Sequence, residues 1–482
     1  MPEEPALARC SPVTPSVPAS DGSRFALVRD AERGTWLLAS GSVEEFHGAA
    51  CPGEEAAKLC PMTPANAFAL AGRFPWLAAR RLPQDAMSFG FGDRLGLATP
   101  GHIRAVQETG IFPVLAQQSV RENARTGRSF ADVLADAIFA AFREGFSSGF
   151  GADADHLKEI SDALEAARVG YTFFTCDPGD HVVSVAEMRE DEVRSRFAAL
   201  RESSDLARRH AAGIYAIGDD SGLCVTEDEL RRAAVKYGPA IEHAAVMYHA
   251  LRDALPEGLD YEVSVDETDE PTFPAEHLFI ALELRRRDVE FVSLAPRFVG
   301  AMEKGVDWRG DMQRFRTDLA RHAHIAAAVG GYRLSLHSGS DKFSLYPELA
   351  QATEGRVHVK TAGTSYLVAL EIVSKRRPTL FREIVAHSLR AFAEEQATYH
   401  ISVRPEKVPP LDALEDNDLP QLVESHDSRQ LLHVTYGSVL RGPLGDDLRA
   451  TLGENEEEHF EMLAKHMRRH LDGLEVGSDD QP

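Results

Sequence analysis

Residues 332–347 read YRLSLHSGSDKFSLYP. The first half alternates apolar and polar positions, with Leu334 and Leu336 two apart, which is the period of a strand with one buried face. The second half crowds imidazole, hydroxyl, carboxylate and ammonium groups into a short loop. Alternation that sends Leu334 and Leu336 to one side sends Ser335 and His337 to the other, with His337 at the strand end. Two further stretches repeat the form. In RVHVKTA (356–362) Val357 and Val359 alternate with His358 and Lys360, and in YEVSVD (261–266) Val263 and Val265 alternate with Glu262, Ser264 and Asp266. Polar groups gathered at several strand ends suit a βα barrel, whose active sites lie at the C-terminal ends of parallel strands.

Strands are predicted at AMSFGFG (86–92), IFPVLAQ (111–117), GYTFFTC (170–176), YEVSVD, VEFVSLA (289–295), YRLSLHS (332–338), RVHVKTA and TYHISV (398–403). Each is followed by chain long enough to return as a helix. The pattern predicts an α/β protein, a TIM-like (β/α)8 barrel over 84–404, with an open doubly wound sheet as the alternative. Residues 180–258 are highly charged and helical in period, a helical insertion. Residues 1–22, rich in Pro and Ser, predict a disordered leader. RFALVRD and TWLLASG open a small N-terminal module over 23–83. The tail, 405–482, begins acidic and Pro-rich and closes with a helix through EEEHFEMLAKHMRRHL. Insertion and tail are read as packing elements or as contacts of a homo-oligomer.

The chain has 482 residues, with 52 Lys+Arg against 76 Asp+Glu and a formal charge of -24. Such a surface repels nucleic acid and anionic membranes. An anionic substrate therefore needs a local Arg or Lys clamp. The five cysteines, Cys10, Cys51, Cys60, Cys176 and Cys224, form no CxxC pair and read as reduced thiols of a cytoplasmic protein. The N-terminus is acidic where a signal peptide is basic, and no run of about eighteen apolar residues exists.

His337, His358 and one of Asp266 or Glu267 make a set suited to a divalent cation such as Zn, Mn or Ni. A strand histidine is more often a hydrogen-bonded core residue, and DETDE more often a solvated turn; convergence on neighbouring strand ends favours the cation. Asp93 and Asp177 are candidate general acids or bases, and Lys360 a candidate to polarise a carbonyl or carry a proton. Arg94, Arg297 and Lys342 are candidates to hold a carboxylate or phosphate. Ser338 and Thr361 are placed to reach ligand hydroxyls, Asp341 can reach a ligand from the loop, and His102 sits in the first turn of a helix opened by Pro100. Gly90, Gly92 and Gly96 follow a strand, but GxGxxxG is one residue too long for a dinucleotide fingerprint. His322 and His324, two apart in a helical stretch, cannot share a face.

Together, FGFGDRLGLATPGH, VSVDETDEPT, VSLAPRFVGAMEKGVDWRGD, LSLHSGSDKFSLYP and HVKTAGTSYL resemble the bacterial tagaturonate epimerases from about residue 86 to 370. The resemblance implies a divalent-metal-dependent isomerase that interconverts D-tagaturonate and D-fructuronate in hexuronate catabolism. The neutral ketohexoses of the related fructose/tagatose 4-epimerases become side substrates. The two sugar acids differ at the carbon beta to the ketone, whose hydrogen the carbonyl does not acidify. Retro-aldol cleavage with re-addition is favoured over transient oxidation, because the glycine pattern for a nicotinamide fails. The competing readings are a metal-dependent sugar aldolase, a ketose isomerase or 4-epimerase of neutral ketohexoses, and a non-catalytic sugar-acid sensor.

Overall fold

A computed structural model describes residues 9–475 except 31–33, 52–55, 201–202, 211–212, 216–222, 397–398 and 400; the Cys224 side chain also lies outside the described set. Eight parallel strands close a barrel, numbered here from its first strand: β1 Ser88–Phe91, β2 Phe112–Ser119, β3 Gly151–Leu157, β4 Phe173–Cys176, β5 Asp260–Ser264, β6 Ser293–Ala295, β7 Arg333–Leu336 and β8 Val357–Thr361. Each pairs with the next, and β8 returns to β1 through His358–Ser88 and Thr361–Phe91. The closed cylinder excludes the open doubly wound sheet.

Seven strands overlap predicted segments, five of them wholly, with β2 running on to Ser119 and β5 starting at Asp260; the eighth predicted segment holds none among the described residues. Tyr399 and 401–403 form no strand, while 398 and 400 lie outside the described residues. The missing strand is β3, GADADHL. Gly, Ala and Asp are poor strand formers, so its composition hides it. Its period of two survives: Ala152 and Ala154, fully buried, alternate with Asp153 and Asp155, which point into the barrel.

The glycine run after β1 serves backbone packing. The Gly92 amide donates to Thr361 O at 2.9 Å, and a Cβ there would stand 2.5 Å from that oxygen and 2.6 Å from the Ala362 Cα. Gly92 lets β1 and β8 close the cylinder.

Before the barrel, Arg24–Asp30, Gly34–Ser40 and Ala57–Cys60 form an antiparallel sheet. Cys10–Pro12 and Val17–Pro18 pair with Arg24–Asp30, so strand pairing starts at Cys10 instead of after a disordered leader to 22. Trp76 stacks on Phe142, joining this sheet's helical exit to the barrel helix Phe130–Glu144. The insertion carries Glu190–Ala199, Ser203–Arg209, a short hairpin and the long helix Glu227–Ala254. That last helix, started by a Thr226–Glu229 capping box, packs on Ile160–Val169 and Pro274–Arg286 as the return of β4. In the tail, Leu463, Met467, Leu471 and Leu474 form one fully buried stripe of Glu456–Glu475. This stripe seats the helix on Thr99–Val106, Tyr346–Thr353 and Thr364–Arg376. Among the described residues no helix is long and apolar enough to cross a membrane.

Candidate active site at the barrel mouth

Deep in the barrel, the Lys360 ammonium lies 2.7 Å from Asp153 Oδ2, 2.9 Å from Asp155 Oδ1 and 2.8 Å from Glu262 Oε1, and donates to Thr175 Oγ1 at 2.5 Å. Burial alone would neutralise it, but the three carboxylates hold its pKa above the ordinary lysine value. Asp153 is raised, chiefly by burial, because it shares one cation with two other carboxylates.

One layer nearer the mouth, His337 Nε2 contacts Glu262 Oε1 at 2.6 Å, and its Nδ1 lies 3.2 Å from Asp266 Oδ1. The His156 ring stands 4.9 Å from that of His337. His156 Nδ1 is 2.9 Å from Asp155 Oδ1; its Nε2 is 3.7 Å from Asp266 and 3.9 Å from Glu267. Asp155, His156 and His337 each offer one donor atom, all within 4.8 Å of one another. His156 takes φ +52°, a left-handed conformation that costs about 1–2 kcal/mol outside glycine. That strain aims its ring at the group.

The charge balance fits a cation. Among the described residues, Asp153, Asp155, Glu262, Asp266 and Glu267 have only Lys360 and Arg121 as permanently charged partners within ion-pair distance. The buried His337 and the half-buried His156 imidazoles are both drawn toward protonation in response. Burial pushes His337 down, yet Asp266 and then Glu262 carry it up to about 9. His156 is held well above its ordinary value, burial being outweighed first by Asp155. Neither His156 ring nitrogen has a well-formed hydrogen bond. Imidazole nitrogens beside excess carboxylate charge are donors that could hold a divalent cation.

Two adjoining cavities open onto these groups. The smaller is lined by Gln117, Arg121, His156, His337, Lys360 and His433, among others. The larger, about 490 Å³, is lined by Asp266, Glu267, Arg297, Lys304, His337 and Tyr399, among others. Ser338 lines both, and Thr361 lines the smaller while donating to Gly90 O at 2.8 Å. Arg94 also lines the smaller, but its guanidinium is committed to Glu122 and His433 O at 2.9 Å each and lies over the Tyr436 ring.

Several predicted site residues stand elsewhere, for reasons of hydrogen bonding. His358 lies within the barrel core, its Nδ1 2.9 Å from Ser88 Oγ and its ring beside Phe173; burial lowers its pKa to about 3, and it is outside the cation-sized group. Asp93 accepts the Leu95, Gly96 and Ala98 amides at 3.0, 2.8 and 2.7 Å, pinning the start of Thr99–Val106. His102 is packed on Phe91, with Nε2 2.8 Å from Ser365 Oγ. Lys342 spends its ammonium on the Glu303, Val306 and Ser340 carbonyls. Asp341 points away, bonded to Thr364, Arg429 and His466. Asp341, His466 and His470 form a second cation-sized group, but His470 Nε2 already accepts the Asp341 amide and Nδ1 meets His466 O. That group is a hydrogen-bonded lock. Asp177 sits at the end of β4, beside Lys158 at 3.9 Å, raised by burial.

Asp153, Asp155 and His156 lie on the strand whose composition hides it. His433 has no signal in the barrel pattern because it arrives from the tail helix His426–Val434. Gly363 admits it: a Cβ there would lie 2.0 Å from His433 Nε2.

Similar proteins identify the family. A family model described as tagaturonate epimerase matches residues 14–474. The chain belongs to the tagaturonate epimerase family. It is 48% identical over 418 residues to the tagaturonate/fructuronate epimerase of Thermotoga maritima, covering 86% of each chain. The native crystal structure of the fructuronate-tagaturonate epimerase of Cohnella laeviribosi superposes with TM-score 0.92 at 35% identity, covering 97% of this chain and 98% of that one. A glycerol complex of that protein gives 0.91 at 36%, covering 95% of each. The family match begins at residue 14, so the N-terminal sheet and the tail belong to the epimerase fold as much as the barrel does.

Proposed function

We propose that the chain interconverts D-tagaturonate and D-fructuronate, assisted by a divalent cation held by Asp155, His156 and His337. Family membership supports the reaction, and the three-residue donor group at the barrel mouth supports the cation. Asp266, within 3.7 Å of both imidazoles, completes the donor set in place of His358. Glu262 fixes the His337 ring from behind, as carboxylates do for metal-bound histidines. When bound, the cation supplies positive charge to the ketone oxygen as negative charge develops there.

The residues of the chain perform the proton transfers. A base takes the hydroxyl proton at the carbon beta to the ketone, the bond to the alpha carbon breaks, and its electron pair passes to the ketone side as an enediolate. The aldehyde turns, the same bond re-forms on its other face, and the proton returns to oxygen. We assign the base to Glu267, which lines the larger cavity and is kept ionised, burial being outweighed by His156 and Arg121. Lys360 keeps Asp155 and Glu262 charged and in place. Ser338 and Thr361 remain contacts for sugar hydroxyls.

The test is NMR of sugar products from chelator-treated protein resupplied with Zn²⁺, Mn²⁺ or Ni²⁺, run in D₂O. Expected are cation-dependent epimers without deuterium at the inverted carbon. Deuterium there overturns the cleavage route, and full activity with no cation bound overturns the metal. Free three-carbon products point to an aldolase instead.

A further inference from the structure

We infer that Lys304 recognises the carboxylate of the substrate, an inference that rests on the sugar-acid reading above. The enzyme must draw an anion into a mouth already rich in carboxylates, so an uncommitted cation is required there. Most candidates are committed. Lys360 is spent on three carboxylates, Arg94 on Glu122 and His433 O, and Arg121 on Glu267. Lys304 differs: its ammonium contacts the neutral Ser338 hydroxyl at 2.6 Å and has no carboxylate within ion-pair distance among the described residues. It also lines both cavities, where they adjoin at His337 and Ser338.

The backbone around Lys304 is held with unusual completeness. Four consecutive carbonyls are each captured by a side chain from elsewhere. Lys342 takes Glu303 O at 2.9 Å and Val306 O at 2.5 Å, Gln430 takes Lys304 O at 3.2 Å, and Arg429 takes Gly305 O at 2.5 Å. Lys342 and Gln430 are fully buried. Burying a lysine to hold a surface loop opposes solvation, which lowers its pKa to about 8. The device fixes where the Lys304 side chain starts, and Ser338, itself at φ +54°, fixes where it ends. Lys342 and Gln430 are thus positioning residues, and Arg297, on the wall of the larger cavity, is a second cation for the same carboxylate.

The experiment compares wild type, Lys304→Met and Lys304→Arg in turnover of D-tagaturonate and in calorimetric binding of D-galactonate against its neutral counterpart galactitol. Loss of one charge-assisted hydrogen bond raises KM for the sugar acid, and Kd for D-galactonate, about tenfold to a hundredfold in Lys304→Met. Binding of galactitol stays as in wild type, and Lys304→Arg recovers most of the loss. Equal weakening of both ligands, a fall in kcat with KM unchanged, or wild-type KM in Lys304→Met each overturn the inference. Absence of tagaturonate turnover by wild type sinks the proposed reaction instead, while the paired binding measurements still report on Lys304.

Discussion

Replacing Lys360 with Met should expose how much of the site is electrostatic. The substitution keeps most of the side-chain volume but removes the ammonium from within 3 Å of Asp153, Asp155 and Glu262. Removing one partner of a buried ion pair costs about 3–5 kcal/mol, because the charge left behind has no solvent. The cost has a ceiling, since a stranded carboxylate takes up a proton. Asp153 is already raised and protonates first. At pH 7, protonating a carboxyl whose unfolded pKa is about 3.9 costs about 4 kcal/mol, from about 1.36 kcal/mol per pH unit. At pH 5 the same step costs about 1.5 kcal/mol. The sign follows: the deficit of Lys360→Met against wild type shrinks as the pH falls. Urea unfolding of both proteins at pH 5, 6 and 7 measures it. Adding Asp153→Asn to Lys360→Met should flatten the pH dependence by removing the proton acceptor. A deficit of constant size from pH 5 to 7 would refute the charge argument and leave only lost packing.

Two further outcomes concern burial and packing. His102 is buried and neutral, its pKa lowered to about 4 by burial. The unfolded chain takes up this proton near 6.5 and the folded chain only near 4, so stability is lost as pH falls through that window, about 3 kcal/mol in all; His102→Gln should make the loss measured by denaturation at pH 6.5 and 4.5 shallower by about one proton. Gly363→Ala places a Cβ 2.0 Å from His433 Nε2 and 2.6 Å from two ring carbons, in a site where His433 is 1% exposed. Overpacking there should cost about 1–3 kcal/mol and lower kcat/KM, and wild-type stability of this variant would contradict the packing described.

The sequence made the inward faces of β5, β7 and β8 legible because valine and leucine there alternate strictly with polar residues. Glu262, Asp266, His337 and Lys360 all follow from that period. β3 was not legible, since its outward residues are alanines and its inward ones aspartates, so neither hydrophobicity nor strand propensity marks it. With that strand, Asp155 and His156, half of the proposed cation group, are hidden as well. Roles within a face were also hidden. His358 has the same inward direction as Lys360 but lies two residues deeper, where Ser88 meets it. Lys342 and Asp341 sit in the loop that alternation points to, yet the partners that consume them, Glu303 O and Arg429, are 39 and 88 residues away. Only the fold brings those partners close.

The distribution of charge along the barrel axis ties the substrate's orientation to its chemistry. The deep layer holds Asp153, Asp155 and Glu262 around a single ammonium, whereas the outer walls carry Arg297 and Lys304. On the proposed reading, a hexuronate entering carboxylate first would meet uncompensated negative charge at close range, and two like charges about 4 Å apart repel by roughly 4 kcal/mol at an effective dielectric of 20. Entering ketone first, it leaves its carboxylate among the outer cations and brings its hydroxyls to the cation group. The -24 net charge of the chain makes this selection sharper, because nothing at long range favours the anion. On the proposed reading, discrimination of sugar acid from neutral sugar thus resides in the few cations at the rim, and the proposed cleavage of the carbon–carbon bond in the layer beneath them.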